Sequence, residues 1–140
     1  MKETEAKKLE DIMVSFRRML IEELRKDLND TIKCTTVQWE AMRFITDEKE
    51  PTMKDIADAL SITPPSATSL INHLLQKGLV KRKVDISDRR AIRIIPTQKT
   101  QELLQLVSVK KQNIFNTMLM RLTKKQREEL INILTILINK

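Results

Sequence analysis

The residues of this chain best equipped for chemistry are cations and hydroxyls, and they cluster. Lys81-Arg82-Lys83 and Asp88-Arg89-Arg90 place five cations within ten residues. Shortly upstream, Thr63-Pro64-Pro65-Ser66-Ala67-Thr68-Ser69 supplies four hydroxyls within seven residues. Cations neutralise phosphates, and hydroxyls donate to or accept from base edges and phosphate oxygens. That set suits recognition of a polyanion and does not suit bond making. One cysteine, Cys34, and one histidine, His73, assemble no nucleophile–base pair. They are also too few for a zinc centre, so no metal and no other cofactor is expected. His73 reads as a surface or phosphate-contacting residue. A single glycine argues against the Gly-rich phosphate loops of Rossmann and P-loop folds, which need several residues without a Cβ.

The charge is directed along the chain. From Gln76 to Lys99 there are eight basic residues and two acidic ones, a net +6, whereas the whole chain carries +7. The 75 residues before that window are slightly acidic. A basic segment joined to an acidic front half is an electrostatic footprint for an anionic partner. Hydrophobic residues make up 41% of the 140, enough for one core, and the 3% aromatic content leaves that core to Leu, Ile, Val and Met. No run of about 18 apolar residues exists, and the N-terminus has no apolar signal core. A cytoplasmic protein with no membrane partner is therefore expected. One cysteine excludes an internal disulfide.

Periodicity supplies the elements that must position these groups. Leu9, Ile12, Met13, Phe16, Met19, Leu20, Leu24 and Leu28 recur at helical spacing and predict a helix from about Lys7 to Asp30, ended by Asn29-Asp30-Thr31. Thr35-Thr36-Val37-Gln38 is a capping box for a second helix that stops near Asp47–Glu50. Thr52, with Asp55 three positions on, caps a third. After the short turn Ser61-Ile62, Thr63 caps a fourth helix with Pro64 at its first position, where the missing N–H costs nothing. Its buried stripe is expected to be Ala67, Leu70, Ile71, Leu74 and Leu75. Lys77-Gly78 closes it with a left-handed cap. Leu79–Val84 and Ile92–Ile95 alternate as a two-stranded hairpin, with a polar connection from Asp85 to Ala91. Thr97 caps a long helix to about Leu122, and Thr123-Lys124-Lys125-Gln126 opens a last helix to about Asn139. That helix is apolar on almost every side and is expected to be buried, most simply between subunits. The fold class is thus mainly α with a small β-hairpin wing. It reads as a winged helix-turn-helix over 35–97, plus helical dimerisation segments at 1–34 and 98–140.

These residues resemble the MarR family of transcription regulators. The resemblance is carried by Thr35-x-x-Gln38-Trp39 at the second helix, Thr63-Pro64 at the fourth, Leu74 with Lys77-Gly78-Leu79-Val80-Lys81-Arg82, and Asp85-x-x-Asp88-Arg89-Arg90. The terminal helices carry only apolar periodicity in the right places. Departures from the family pattern at Ser69, Asn72-His73, Ser87 and Lys99-Thr100 bear on the operator sequence more than on the fold. The resemblance implies a homodimeric regulator of transcription, in first place a repressor responding to a small ligand or stress signal. The other reading of the chain is a winged-helix protein–protein module inside a larger assembly.

In the first reading Pro65, Ser66, Thr68 and Ser69, at the start of a helix capped by Thr63, enter the major groove. None is an arginine, so the bidentate guanine contact is absent and an A/T-rich palindromic operator in double-stranded DNA is expected. Arg90 and Arg89 reach from the wing into a narrow minor groove. Asp88 holds Arg90, as the resemblance implies. Arg82 and Lys83 contact DNA from the strand, and Thr52 and Lys54 meet phosphate at a helix N-terminus. Leu9, Ile12, Phe16, Leu119, Leu130, Leu134 and Leu137 are the expected dimer interface. For an effector the candidates are Arg17 and Arg18, although such arginines are more often solvated. Cys34 reads either as a redox-sensing thiol or as a buried structural residue.

Overall fold

A computed structural model describes residues 4–28, 33–88 and 90–139. Among these, six helices and one hairpin follow in order: α1 (Glu5–Leu28), α2 (Thr36–Asp47), α3 (Met53–Leu60), α4 (Pro64–Gln76), β1 (Val80–Val84), β2 (Ile92–Pro96), α5 (Gln98–Leu119) and α6 (Lys124–Ile138). The expected polar break after α1 lies outside the described residues. The chain divides into two compact units, Ile32–Leu106 and the two ends, with the division inside α5.

Every helix start read from Thr35, Thr52, Thr63 and Thr123 is realised. Each hydroxyl accepts the backbone N–H three residues on, which satisfies a donor that no intrahelical carbonyl can reach. At Thr35, Thr52 and Thr123 the third helical side chain reciprocates, completing a capping box. At the other end of α4, Gly78 takes φ +69. A Cβ there would meet nothing within 4 Å, so only the backbone conformation resists substitution. Gly78→Ala is expected to cost about 1 kcal/mol of unfolding free energy, read from the urea midpoint, with the fold unchanged.

The core of the Ile32–Leu106 unit is aliphatic. Ala67, Leu70, Ile71 and Leu74 occupy one face of α4 at spacings of three and four and are buried. Leu70, Ile71 and Leu74 pack with Ala41, Met42 and Ile45 of α2, Ile56 of α3, Leu79, Val80 and Ile94 at the root of the hairpin, and Leu103 of α5. Leu75, expected in this stripe, is only half-buried. Each fully buried Leu or Ile contributes about 1.5–3 kcal/mol of transfer free energy, so this face fixes the rotation of α4 and thereby which side chains it exposes. The junction after α4 is tied by hydroxyls. Thr97 donates to the carbonyls of Gly78 (2.7 Å) and Leu79 (3.1 Å), and the buried Thr100 donates to Leu79.

The hairpin is antiparallel, with Val80 opposite Pro96, Arg82 opposite Ile94 and Val84 opposite Ile92. A connection invisible in the periodicity joins it to the helices. The Ile94 N–H donates to the Pro51 carbonyl at 2.9 Å, and Thr52 bridges Arg93, so the start of α3 lies along the edge of β2.

In the other unit Phe16 of α1 and Phe115 of α5 stack at 5.9 Å between ring centroids, tilted by 48°. The expectation that α6 would be buried is not met within one chain. Leu130, Ile131, Ile133, Leu134, Ile136, Leu137 and Ile138 are all exposed. The reason is geometric, since the apolar residues from Leu130 to Ile138 point to more sides of the helix than one packing face can cover. The helix α5 also ends at Leu119, three residues before the sequence suggested, in a turn that precedes the Thr123 cap.

Candidate nucleic-acid interface

The N-terminal turns of α4 present their polar side chains outward because the apolar face is consumed by the core. Thr63, Pro65, Ser66, Thr68 and Ser69 are all exposed. Two hydroxyls are pre-oriented by local contacts. Thr63 donates to the Ser66 hydroxyl at 2.9 Å, and Thr68 donates to the Pro64 carbonyl at 3.1 Å. Each oxygen keeps lone pairs free to accept. On α3, Lys54 is exposed, while Thr52 is half-buried and spends its hydroxyl on the cap. The Thr52 N–H in turn donates to Asp55 at 2.9 Å and holds that carboxyl below its ordinary range.

The cations fall into distinct groups once their partners are known. Lys77 and Lys99 serve the end of α4. Lys99 donates to the Lys77 carbonyl at 3.0 Å, and Lys77 reaches the Lys33 carbonyl and the Gln38 side chain. Arg82 donates to Asn72 of α4 at 2.9 Å, which ties the hairpin to that helix. Lys83 pairs with Glu50, and Arg93 pairs with Asp85 at 3.0 Å. Among the described residues of the basic window, Lys81 and Arg90 are exposed and make no ion pair. Arg89 lies outside the described residues. The partners of Lys77, Arg82 and Lys99 are uncharged, so among the described residues the uncompensated positive charge runs from the end of α4 along β1 to the wing loop.

The hairpin register explains the pairing. Lys83 stands directly opposite Arg93, and two like charges in that arrangement repel across the ladder. Asp85 and Glu50 each take one of them. The Asp85 carboxylate accepts the Ser87 hydroxyl (2.7 Å), the Ser87 N–H (3.0 Å) and two guanidinium N–H groups of Arg93. Those bonds, Ser87's first, hold its pKa down from the ordinary 3.8 to about 2. Because the folded value is the lower one, the contact is complete above about pH 4 and is lost as pH falls towards 2. An NMR titration of the Asp85 carboxyl carbon is expected to show no inflection between pH 5 and 8.

Asp88 holds Arg90 by the main chain: its carboxylate accepts the Arg90 N–H at 3.0 Å, and the guanidinium stays exposed. The residues missed by sequence reasoning are Arg93 as a structural cation, Asn72 and Glu50. The like-charge pair Lys83–Arg93 was the available signal, because a hairpin register that opposes two cations demands nearby anions.

Residues 32–91 match the MarR family. The matched span runs from just before α2 through the wing loop. Likeness to transcriptional regulators extends along most of the chain. "Uncharacterized HTH-type transcriptional regulator YwhA" of Bacillus subtilis is 26% identical over 93 residues, spanning 66% of this chain and 67% of that protein. The fold matches the transcriptional regulator Tm0710 of Thermotoga maritima with a TM-score of 0.75 and 25% identity, covering 92% of this chain and 90% of that one. It also matches MepR, a transcription regulator of the Staphylococcus aureus multidrug efflux pump MepA, with a TM-score of 0.77 and 23% identity over 96% of each chain. A single-residue variant of MepR bound to an oligodeoxyribonucleotide matches with a TM-score of 0.73 and 21% identity over 92% of this chain and 94% of that one. This mainly helical fold with a two-stranded hairpin is that of MarR-type winged-helix regulators.

The remaining candidates are Cys34, Arg17 and Arg18. Cys34 is half-buried against the core, and burial pushes its thiol pKa up despite Lys77 and Lys99 nearby. That leaves less thiolate at neutral pH than a free cysteine has. Arg17 and Arg18 are exposed on α1. An open cleft of about 310 Å³ is lined by Arg43, Thr46 and Asp47 of α2 and by Gln101, Leu104 and Gln105 of α5. None of the three effector candidates lines it. Among the described residues no cluster of His, Cys, Asp or Glu could hold a metal, and no helix is long and apolar enough to cross a membrane.

Proposed function

We propose that this chain is a DNA-binding regulator of transcription that acts as a homodimer on a palindromic, A/T-rich duplex. The observation that carries the reading is the pairing of two exposed features in one lobe. A hydroxyl-rich helix start at Thr63–Ser69 is tied through Asn72 and Arg82 to a hairpin whose exposed cations Lys81, Arg82 and Arg90 have no anionic partner among the described residues. The oligonucleotide bound to the MepR variant supports it by likeness of fold. In this reading 35–97 forms the DNA-binding lobe and the remaining helices form the dimer. The exposed apolar side chains of α6 support self-association, because a contiguous surface of this kind is rarely left to water. Repression, and its relief by a small ligand or stress signal sensed near Arg17, Arg18 or Cys34, are proposed on the family resemblance.

Selection of duplexes from a random pool by the purified protein tests this reading. A palindromic A/T-rich consensus is the expected product, with half-sites about one helical turn apart. Affinity for it is expected to fall by roughly 10³ to 10⁵ between 50 and 200 mM salt, as for a dimer that covers about six to ten phosphates. A pool that shows no enrichment and no salt-dependent retention returns the chain to the protein–protein alternative.

A further inference from the structure

The turn between α2 and α3 carries a conformation that its residue type does not favour. Glu50 has φ +51, in the left-handed region, with no glycine's freedom to take it up, and it directly precedes Pro51. Such a residue persists where its surroundings determine it. Here the surroundings are the hairpin. The Arg93 Nη1 donates to the Glu50 carbonyl at 3.2 Å, Lys83 pairs with the Glu50 carboxylate, and the Ile94 N–H donates to the Pro51 carbonyl. The same guanidinium sends Nε (3.1 Å) and Nη2 (3.0 Å) to one oxygen of Asp85, at the first residue of the wing loop. The other Asp85 oxygen closes the turn to Ser87. Beyond it Asp88 fixes the Arg90 N–H, and the Ala91 N–H returns to the Asp88 carbonyl at 3.0 Å. One partly buried side chain thus touches both the base of the wing and the turn that starts α3.

We propose that Arg93 is a positioning residue. It locks the wing to the helix-turn-helix so that Arg90 and the starts of α3 and α4 meet one duplex in a fixed mutual geometry. The inference rests on the DNA-binding reading for its consequence but not for its mechanism. The planar fork is essential: three N–H groups of one guanidinium reach two acceptors on different segments, and a lysine ammonium cannot span them in that arrangement. Charge is not the operative property, since Asp85 already cancels it.

Two measurements on the full chain separate these statements. The first needs no DNA. In Arg93→Gln, and in the double variant Arg93→Gln with Asp85→Asn, amide exchange at Ser87, Arg90 and Ala91 is expected to quicken by tenfold or more. Exchange at Ile71 and Leu74 of α4 is expected to stay unchanged. Arg93→Lys should behave like Arg93→Gln. Unchanged exchange in the wing, or full protection restored by lysine, overturns the proposal. The second is operator affinity. The double variant preserves net charge, so binding to a random duplex at low salt is expected to hold, whereas preference for an A/T-rich over a G·C-rich centre falls about tenfold. Retained preference in a variant whose wing exchange has quickened also overturns the proposed consequence. A wild-type protein that binds no duplex defeats the functional reading alone, and the exchange measurement still decides whether Arg93 is the lock. Asp85→Asn alone approaches the same contact from the wing loop and serves if the Arg93 variants fail to fold.

Discussion

Replacing Arg90 with alanine is expected to weaken operator binding by about 1–3 kcal/mol, roughly 5- to 150-fold, without changing the oligomeric state. The argument combines placement and electrostatics. The Arg90 guanidinium is exposed and makes no ion pair among the described residues, yet its main chain is fixed by the Asp88 carboxylate. The residue therefore presents an available charge from a defined backbone position. A narrow A/T minor groove has enhanced negative potential and attracts such a group. Anisotropy titrations across a salt series also separate this position from Lys83. Arg90→Ala should reduce the salt slope by about one phosphate contact. Lys83→Ala should reduce it less, because Glu50 already compensates that ammonium. Equal effects at the two positions, or none at Arg90, would remove the wing from the proposed interface.

The second large effect concerns self-association. Leu130, Leu134 and Leu137 lie on one stripe of α6 and are 39%, 42% and 61% exposed in the single chain. Leu134→Asp is expected to convert the proposed dimer to a monomer, read by sedimentation velocity. A carboxylate without a partner in an apolar interface costs several kcal/mol, or else takes up a proton. The change should leave the far-ultraviolet circular dichroism of the protomer near its original value, because the leucine contributes little to the core of its own chain. Operator affinity should then fall further than in Arg90→Ala, by about 10² to 10⁴, since two linked recognition helices gain from effective concentration and one does not. A Leu134→Asp protein that remains dimeric would place the interface elsewhere, with Leu9, Ile12, Phe16 and Leu119 the next residues to change.

Local chemistry was legible in the sequence to the residue. The hydroxyls at Thr35, Thr52, Thr63 and Thr123 announced their helices, and Gly78 announced the end of α4. Each acts on backbone groups within three or four positions, so no knowledge of the rest of the fold is needed. The apolar stripe Ala67-Leu70-Ile71-Leu74 was legible for the same reason: helical periodicity is a local property, and it determines which hydroxyls must point outward. Leu75, on the margin of that stripe, was placed one step too deep.

Cation function was less legible. Composition shows a net +6 between Gln76 and Lys99 but does not divide it. The division came from contacts between residues far apart in the chain. Lys83 found Glu50 33 positions away, Lys77 reached Lys33 across 44, and Arg93 contacted Glu50 across 43. Such pairs depend on where the hairpin edge meets the α2–α3 turn, and no spacing rule encodes that meeting.

The sequence by itself therefore determined the order of elements, the caps, the inward face of α4 and the presence of a basic hairpin, because all of these follow from interactions of short range along the chain. The tertiary structure alone decided which cations stay available to a partner and which are neutralised at home. It also brought the Pro51–Thr52 backbone against β2 and left α6 uncovered. The physical reason is the same in each case: charge compensation and burial are properties of neighbours in space, and those neighbours are chosen only when the core around Ile56, Ile71 and Ile94 closes.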